Sequence, residues 1–315
     1  MYYIGIDIGG TAIKTGIVSK DYKLIDKSSI PTDKSLDYKV IVKDIANQIL
    51  SLTKKNNIDI DKVSAIGIGC PGAIDSKNGI VNYSPNLKWK EVPLSYELSA
   101  ILKREVKITN DANAAALGET KCGAGKNYSD TILITLGTGV GGGVVIGGKL
   151  FEGYQSKGAE LGHMVIKKDG EPCACGRKGC METYASATAL IRQTKRAMEQ
   201  DKNSLMWQTS TLDNVDGKTA FESAKKGDKT AQKVVDEYIE YLGEGIANFV
   251  NIFRPQAIIL GGGICAQGDN LLNPLKKVVE KNSYGGALNP NPALVIARLG
   301  NDAGIIGAAS LVIED

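Results

Sequence analysis

The sequence predicts an α/β fold built from two similar domains, and three observations support this prediction. Short β-branched runs alternate with stretches whose apolar residues recur at helical spacing. Glycine-rich hairpins of one pattern occur at residues 2–18 and 131–151, about 130 residues apart, which indicates an internal duplication. The chain of 315 residues is long for one hydrophobic core and comfortable for two domains. We expect the two domains to face one another across a cleft.

The composition argues against several classes of partner. Hydrophobic residues make up 43% of the chain and charged residues 23%, as in globular proteins. The net charge is only +3, with both signs mixed, so we expect neither a nucleic-acid nor a membrane partner. Met1 leads directly into a strand-like run with no room for a signal peptide, so we expect a cytoplasmic protein. In such a compartment Cys70, Cys122 and Cys265 would be reduced thiols.

The opening hairpin, YYIGIDIGGTAIKTGIV, places DIGGT at its turn. Consecutive N–H groups in a glycine-rich turn form an anion-binding concavity, and Lys14 adds positive charge, so the turn suits phosphate. An ordinary hairpin turn would explain the same residues.

The second hairpin offers a similar turn and contains a GxGxxG match from Gly137 to Gly142. A strand-like segment, VVIGGKLF, follows these glycines where a dinucleotide-binding motif needs a helix, so we reject that interpretation.

Residues 106–119, VKITNDANAAALGE, change from strand to helix spacing and place Asp111 at the junction. A helix N-terminus holds a carboxylate ionised, which suits a group that must accept a proton. A helix cap beside Asn110 explains the local sequence equally well. Before this segment we expect a strand at 23–31, a helix over 36–55, a strand at 63–75 and a loop at 82–89 that contains Asn86.

Helical patterns dominate from about residue 183 to 254, most clearly over 230–253, and Pro255 ends them. The segment AIILGGGI at 257–264 is predicted to be a buried strand that breaks into glycines, where a backbone can approach a flat ligand. A small-residue helix, NDAGIIGAASLVIED, ends the chain. We expect residues 1–112 with 300–315 to form a small N-terminal domain. Residues 113–299 would form a large C-terminal domain with a zinc-binding loop.

That loop, ELGHMVIKKDGEPCACGRKGCME at 160–182, holds the only histidine of the chain and three closely spaced cysteines. Structural zinc takes four tetrahedral nitrogen or sulfur ligands. Cysteines often pack as inert apolar side chains, but this region is polar and rich in turns, which favours zinc. Gly176 and Gly179 permit the sharp turns that such a site needs. The predicted ligands are His163, Cys173, Cys175 and Cys180.

Two carboxylates, Glu160 and Glu182, bracket the cysteines. Folding of the segment around a metal could bring both toward the imidazole of His163, whose second ring nitrogen would stay free. Carboxylates accept hydrogen bonds from vicinal hydroxyls, so a polyhydroxy ligand would fit such a point. Either glutamate alone would be read as a solvated charge.

Taken together, these motifs resemble the repressor, open reading frame and kinase (ROK) family, and within it the bacterial glucokinases. The resemblance covers essentially the whole chain, and it depends on the order and spacing of the motifs. It implies the duplicated two-domain actin/hexokinase-like (ribonuclease H-like) fold with an interdomain cleft. The motifs are DIGGT with Lys14, CPG at 70–72, SPNLKW, NDANAAALGE, LGTGVGGG, GAELGH, CACGRKGCME followed by ASATAL, LGGGI and DAGIIGAA.

The resemblance implies a kinase that phosphorylates the 6-hydroxyl of glucose with ATP and Mg²⁺, with Asp111 as the general base and Asp7 near the magnesium ion. The sugar would be held by Asn86, Asn110, Glu160, His163 and Glu182, with His163 also a zinc ligand. The nucleotide would be held by Asp7, Gly9, Gly10, Thr11, Lys14, Gly137, Thr138, Gly139, Gly261, Gly262 and Gly263. Phosphoryl transfer needs mainly positioning, charge neutralisation and an aligned base, so this assignment is physically coherent.

Two alternatives remain. The same motif residues would serve a kinase for N-acetylmannosamine, fructose, mannose or allose, because one hydroxyl contact can separate these sugars. A non-enzymatic sugar-sensing protein would keep sugar binding without transfer. Repressors of the family have a helix-turn-helix segment before the kinase-like region, and DIGGT begins here at residue 7, which argues against that class. The resemblance further implies glycolysis as the setting and a homodimer or dimer of dimers.

Overall fold

In the computed structural model, which describes residues 1–313, strands and helices alternate as expected for an α/β protein. The strands are β1 (Tyr2–Ile8), β2 (Ala12–Ser19), β3 (Leu24–Pro31), β4 (Val63–Cys70), β5 (Ala73–Asp75), β6 (Ile80–Ser84), β7 (Trp89–Val92), β8 (Glu105–Asn110), β9 (Thr131–Leu136), β10 (Val140–Ile146), β11 (Lys149–Phe151), β12 (Ala257–Gly261) and β13 (Ala293–Ile296). The α-helices are α1 (Tyr38–Lys55), α2 (Leu94–Leu102), α3 (Asp111–Lys121), α4 (Glu182–Ala185), α5 (Ala187–Gln200), α6 (Met206–Thr209), α7 (Thr219–Lys225), α8 (Lys229–Phe253), α9 (Asp269–Asn282) and α10 (Ala303–Ser310).

The chain divides into two compact units. The first contains Met1–Leu133, Gly143–Ala159 and the C-terminal residues from Ala297, and the second contains Ile134–Gly142 and Glu160–Ile296. The first unit therefore includes residues 113–121 of α3 and residues 143–159, whereas the sequence-based division ends the first segment of the small domain at residue 112. The reason is local packing, because a Cβ on Gly118 of α3 would lie 2.6 Å from the Ala303 carbonyl oxygen of α10.

The first unit is organised on a five-stranded sheet of order β3-β2-β1-β4-β8. The glycine-rich opening segment forms the antiparallel hairpin β1–β2, in which Asp7 pairs with Lys14. Strand β4 runs parallel to β1, and β8 runs parallel to β4. Helix α1 begins at its cap Asp37, whose side chain accepts from the Lys39 amide, and buries its isoleucines. Because β1, β4 and β8 run parallel, their carboxyl ends lie together at one end of the sheet.

The second five-stranded sheet has the order β11-β10-β9-β12-β13. In both sheets the middle strand opens a glycine-rich hairpin, a third strand follows it at one edge, and a parallel strand pair occupies the other side. The expected internal duplication is therefore present. Strand β10 directly follows the glycine turn of 137–139, which confirms that the GxGxxG match is not a strand-to-helix dinucleotide motif.

Segment 82–89 is not only a loop, as the sequence suggested. Strands β5, β6 and β7 form a small antiparallel sheet, and Asn86 lies in the turn that joins β6 to β7. These strands have three to five residues and mix polar with apolar side chains, so their alternation is too short to recognise. Helix α2 was also not anticipated.

Helix α10 packs very closely on the first sheet. A Cβ on Gly5 of β1 would lie 1.8 Å from the Ile305 carbonyl oxygen, and one on Gly67 of β4 would lie 1.7 Å from that of Ala308. Glycine is therefore required wherever the helix crosses the strands. The expected C-terminal helix ends at Ser310, and its predicted last residues, Glu314 and Asp315, lie outside the described residues. Within residues 1–313, no helix combines the length and apolarity needed to cross a bilayer.

Candidate functional site

The DIGGT turn lies between β1 and β2 in the first unit. Its Gly9 amide donates to the Ala12 carbonyl at 2.9 Å and closes the turn, so this amide is engaged and Gly10 and Thr11 offer the better donors for an anion. The Lys14 ammonium lies 3.4 Å from Oδ2 of Asp7. The expected cation is therefore present beside the turn, and it is paired with the carboxylate expected near magnesium.

A residue that the sequence did not suggest supports this turn. Thr32, just after β3, donates its hydroxyl to the Gly9 carbonyl at 2.8 Å and its amide to the Thr11 carbonyl at 3.0 Å. A Cβ on Gly10 would lie 3.3 Å from Nζ of Lys34, so a second ammonium also approaches the turn. Only the pairing of β3 with β2 brings these residues close, and no local motif signals it.

Asp111 is the first residue of α3, directly after β8. Asn110 is the helix cap, because its side-chain oxygen accepts from the amides of Ala112 and Asn113. Its side-chain nitrogen donates to the Gly72 carbonyl at 3.3 Å, which ties the cap to the Pro-Gly turn after β4. Asp111 therefore does not have to cap the helix, and its carboxylate accepts from the Ala112 amide at 2.9 Å.

The environment raises the pKa of Asp111 above its ordinary value of 3.8. Burial is the main cause, and the negative charge of Asp7 adds to it, while hydrogen bonds from the Ala112 amide and Asn110 act in the opposite direction. The expectation that the helix N-terminus holds this carboxylate ionised is therefore incomplete. A raised pKa makes the carboxylate a stronger proton acceptor once it is ionised.

The second unit holds the predicted metal ligands in one cluster. The ligand atoms of the four residues all lie within 4.8 Å of one another. Nδ1 of His163 is 3.6 Å from the Cys173 sulfur, and the sulfurs of Cys175 and Cys180 are also 3.6 Å apart. Tetrahedral zinc with Zn–S bonds of about 2.3 Å separates its ligands by about 3.7 Å, so this donor set fits zinc.

The loop folds back on itself through two glycine turns. Gly176 and Gly179 have φ values of +88° and +80°, and a Cβ on Gly179 would lie 1.8 Å from the Lys167 carbonyl oxygen. Short antiparallel bridges, Val165 with Cys180 and Pro172 with Lys178, align the two arms. The glycines thus place Cys175 and Cys180 side by side, as the sequence predicted.

Glu182 connects this loop to the second glycine-rich turn. At the start of α4, its Oε2 accepts from the Val140 amide at 3.0 Å, while its Oε1 lies 3.8 Å from the Cys173 sulfur. A Cβ on Gly139 would lie 2.2 Å from Oε2, so the turn needs glycine where the carboxylate meets it. The Gly137 amide donates to the Gly139 carbonyl at 3.0 Å, which closes this turn.

The structure assigns the predicted site residues to both units. The first unit holds the DIGGT residues with Lys14 and, among the sugar and base candidates, Asn86, Asn110 and Asp111. Asn86 is exposed in its hairpin turn. The second unit holds Gly137, Thr138, Gly139, Glu160, His163, Glu182, the three clustered cysteines, Gly261 at the end of β12, and Gly262 and Gly263 after it.

Comparison with known proteins gives full-length matches. Glucokinase from Thermotoga maritima is 39% identical over 316 residues, which cover 99% of this chain and 97% of that protein. The structure of a ROK family glucokinase from Streptomyces griseus in complex with glucose and AMPPNP shares 36% identity and a TM-score of 0.78, with 99% of both chains covered. A ROK hexokinase from Thermus thermophilus shares 31% identity and a TM-score of 0.82, over 98% of this chain and 97% of that one.

These structural similarities confirm the expected α/β hexokinase-like fold class. A sequence profile of the ROK family matches residues 3–315. The match therefore includes both glycine-rich hairpins, the Asn110–Asp111 junction and the cysteine-rich loop, and the chain belongs to the ROK family.

Proposed function

We propose that the chain is an ATP-dependent glucokinase that transfers the terminal phosphoryl group of ATP to the 6-hydroxyl of glucose. The observation that supports this most directly is Asp111, a half-buried carboxylate with a raised pKa that directly follows a strand in the same sheet as the DIGGT hairpin. The full-length similarity to glucokinases from several bacteria supports glucose as the acceptor.

Asp111 would accept the proton of the 6-hydroxyl as that oxygen attacks phosphorus. A carboxylate with a raised pKa suits this step because its proton affinity is closer to that required at neutral pH. The hydrogen bond that it accepts from the Ala112 amide fixes the carboxylate at the helix terminus, so little reorganisation is needed during transfer. Asp111→Asn would keep the shape of the side chain but remove the carboxylate that accepts the proton.

For the sugar we propose contacts from Asn86 and Asn110 in the first unit and from Glu160, His163 and Glu182 in the second. Amide and carboxylate groups match vicinal hydroxyls as donors and acceptors. Nδ1 of His163 faces the cysteine cluster, which leaves Nε2 for a hydroxyl. Zinc bound by this cluster would fix the imidazole and hold residues 160–182 in shape.

For the nucleotide we propose the two glycine-rich turns as phosphate contacts, with Gly261, Gly262 and Gly263 beside the adenosine. Bound Mg²⁺ neutralises phosphate charge in transfers of this kind. Asp7 offers a carboxylate oxygen ligand for it, and Lys14, 3.4 Å away, offers a phosphate contact.

A coupled assay of ADP release over a panel of hexoses tests the proposal. We expect glucose to give the highest kcat/KM, and Asp111→Ala to lower it by about 10²- to 10⁴-fold, the usual contribution of a general base. Preferred turnover of N-acetylmannosamine, fructose, mannose or allose would reassign the substrate. Sugar binding without ADP release by the unaltered chain would instead indicate a sugar sensor. We further propose a homodimer, which sedimentation would detect, and a role in cytoplasmic glycolysis.

A further inference from the structure

Loop 152–158, which follows β11 in the first unit, is a strained segment that ends two residues before Glu160. Its ends meet, because the Gly158 amide donates to the Glu152 carbonyl at 2.8 Å. Gln155, Ser156 and the adjoining Ala159 have φ values of +54°, +56° and +59°. Positive φ values are unfavourable for non-glycine residues, so they persist only where neighbouring contacts hold them.

The Glu152 side chain makes two hydrogen bonds that hold this loop to the rest of the first unit. Oε1 of Glu152 accepts from the Thr109 hydroxyl at 2.6 Å, and Oε2 accepts from the Ser76 hydroxyl at 2.7 Å. The hydroxyls of Ser76 and Ser156 are 2.5 Å apart, which adds a second attachment from within the loop. Hydrogen bonds to an ionised acceptor are short and about twice as strong as neutral ones.

The partners of Glu152 belong to the segments that carry the proposed sugar and base residues. Thr109 is fully buried in β8 and directly precedes Asn110 and Asp111. Ser76 follows β5, a strand of the small sheet whose next turn carries Asn86. The loop itself continues along the chain to Glu160. A single carboxylate thus joins three segments that lead along the chain to proposed sugar contacts: Asn110 follows Thr109 directly, Glu160 lies eight residues after Glu152, and Asn86 lies ten residues after Ser76.

We propose that Glu152 is a positioning residue for the sugar site. It contacts neither substrate in this assignment, and it acts by fixing the β8 end and loop 152–158 relative to each other. This inference rests on the proposed glucokinase function. Misplacement of catalytic groups by about 1 Å can cost about 10²-fold in rate. Loss of the Glu152 hydrogen bonds should therefore lower the reaction rate, although Glu152 itself does not contact the substrate.

The decisive variants are Glu152→Ala, which removes both acceptors, and Glu152→Gln, which can still bond both hydroxyls because a hydroxyl can donate or accept. We expect Glu152→Ala to raise the KM for glucose and lower kcat/KM about 10- to 100-fold while the KM for ATP stays unchanged. Glu152→Gln should restore most of this loss. Thr109→Val, which keeps the shape and removes one bond, should change the same parameters less.

Asp26→Ala is the matched control, because Asp26 also accepts two side-chain bonds in the first unit, from Lys55 and Asn56 at 2.8 and 2.9 Å. It should reduce thermal stability without changing the KM for glucose. If Glu152→Ala only lowers the melting temperature as the control does, with unchanged KM for glucose, the residue is structural and the proposal is wrong.

A second readout does not depend on activity. Lys157 is an exposed trypsin site inside the loop, and release of the loop should speed cleavage there several-fold in Glu152→Ala but little in Glu152→Gln. Cleavage at the wild-type rate in Glu152→Ala would overturn the proposal. If the unaltered chain fails to phosphorylate glucose, the proposed function is wrong, and the cleavage rates still decide whether Glu152 anchors the loop.

Discussion

At the scale of single residues, two aspartates at helix N-termini have pKa values shifted in opposite directions, so their effects on stability should differ in sign. The pKa of Asp111 is raised, chiefly by burial, so its proton is bound more tightly in the folded than in the unfolded chain. That contribution to stability is present below the unfolded value of 3.8 and is lost as pH rises through the raised value. We therefore expect Asp111→Asn to be more stable than the wild type at pH 7, although inactive, with the difference shrinking toward acid pH. Thermal unfolding across pH measures it.

Asp228 is the matched case, because it caps α8 and is buried, yet its pKa is lowered. Burial alone would raise it, but hydrogen bonds from the Ala231 amide, the Ser204 hydroxyl and the Leu205 amide together outweigh burial. The stability that ionised Asp228 contributes is present above the pKa of the unfolded chain and is lost as pH falls through the lowered pKa of the folded chain. Asp228→Asn should therefore destabilise the protein at pH 7, opposite in sign to Asp111→Asn. Equal signs for the two variants would contradict this account.

The raised pKa of Asp111 also has a kinetic consequence. A general base works only when ionised, so kcat/KM should fall on the acid side at a pH above the ordinary value of 3.8. The pH profile of glucose phosphorylation by the unaltered chain measures this limb. A profile that stays flat down to pH values near 4, where the chain remains folded, would mean that the titrating base is not this carboxylate.

Several residues at this scale could be identified from sequence, and others could not. The clustering of His163 with the three cysteines was predictable because zinc ligands have a restricted spacing and chemistry. The position of Asp111 was predictable because the sequence changes there from strand to helix spacing. Thr32 and Glu152 were not, because their contacts join segments that are distant in the chain: Glu152 and Thr109 are 43 residues apart. The raised pKa of Asp111 likewise arises from burial, which local sequence does not show.

At the scale of elements, the structure of the cysteine-rich loop 160–182 should depend on the zinc ion that we propose for it. Residues 160–182 contain a few short turns and bridges and little other regular structure, so metal binding would supply much of their order. We expect metal analysis to find about one zinc per chain, and Cys175→Ser to lose it and to raise the KM for glucose. Cys122→Ser, which alters a thiol outside the cluster, should leave both the zinc content and the KM for glucose unchanged. A Cys175→Ser variant that keeps its zinc would contradict the ligand assignment.

The contact of α10 with α3 offers a packing test. A Cβ on Gly307 would lie 1.6 Å from the Ala114 carbonyl oxygen and 2.9 Å from the Gly118 nitrogen, so the helices cannot accept even a methyl group. Gly307→Ala should therefore lower the free energy of unfolding by about 1–3 kcal/mol or more. Gly263→Ala, where a Cβ would meet nothing within 4 Å, should leave stability nearly unchanged. Denaturant unfolding of both variants makes the comparison.

At the scale of the whole molecule, the duplicated fold was predictable because the two hairpins share a pattern and because helix and strand spacings are distinct. The long amphipathic helix α8 and the strands of both sheets lie close to where periodicity placed them. The short strands β5, β6 and β7 were missed because three to five residues cannot establish a period. The inclusion of α3 in the first unit was also unexpected, since it depends on glycines that allow α10 to approach.

The sugar contacts that we propose come from both compact units, so a variant in either unit should weaken the stabilisation of the chain by glucose. Glucose that binds only the folded chain should raise the free energy of unfolding, by about 2.7 kcal/mol at 100 times its Kd. If the proposed contacts all serve one glucose molecule, Asn110→Ala in the first unit and Glu160→Ala in the second should each remove most of the glucose-dependent rise in melting temperature. Glu240→Ala, which alters an acidic residue of α8 outside the proposed site, should leave it intact. A full glucose response in Asn110→Ala or in Glu160→Ala would mean that the unit containing that residue does not hold the sugar through it, and that residue would then be removed from the site.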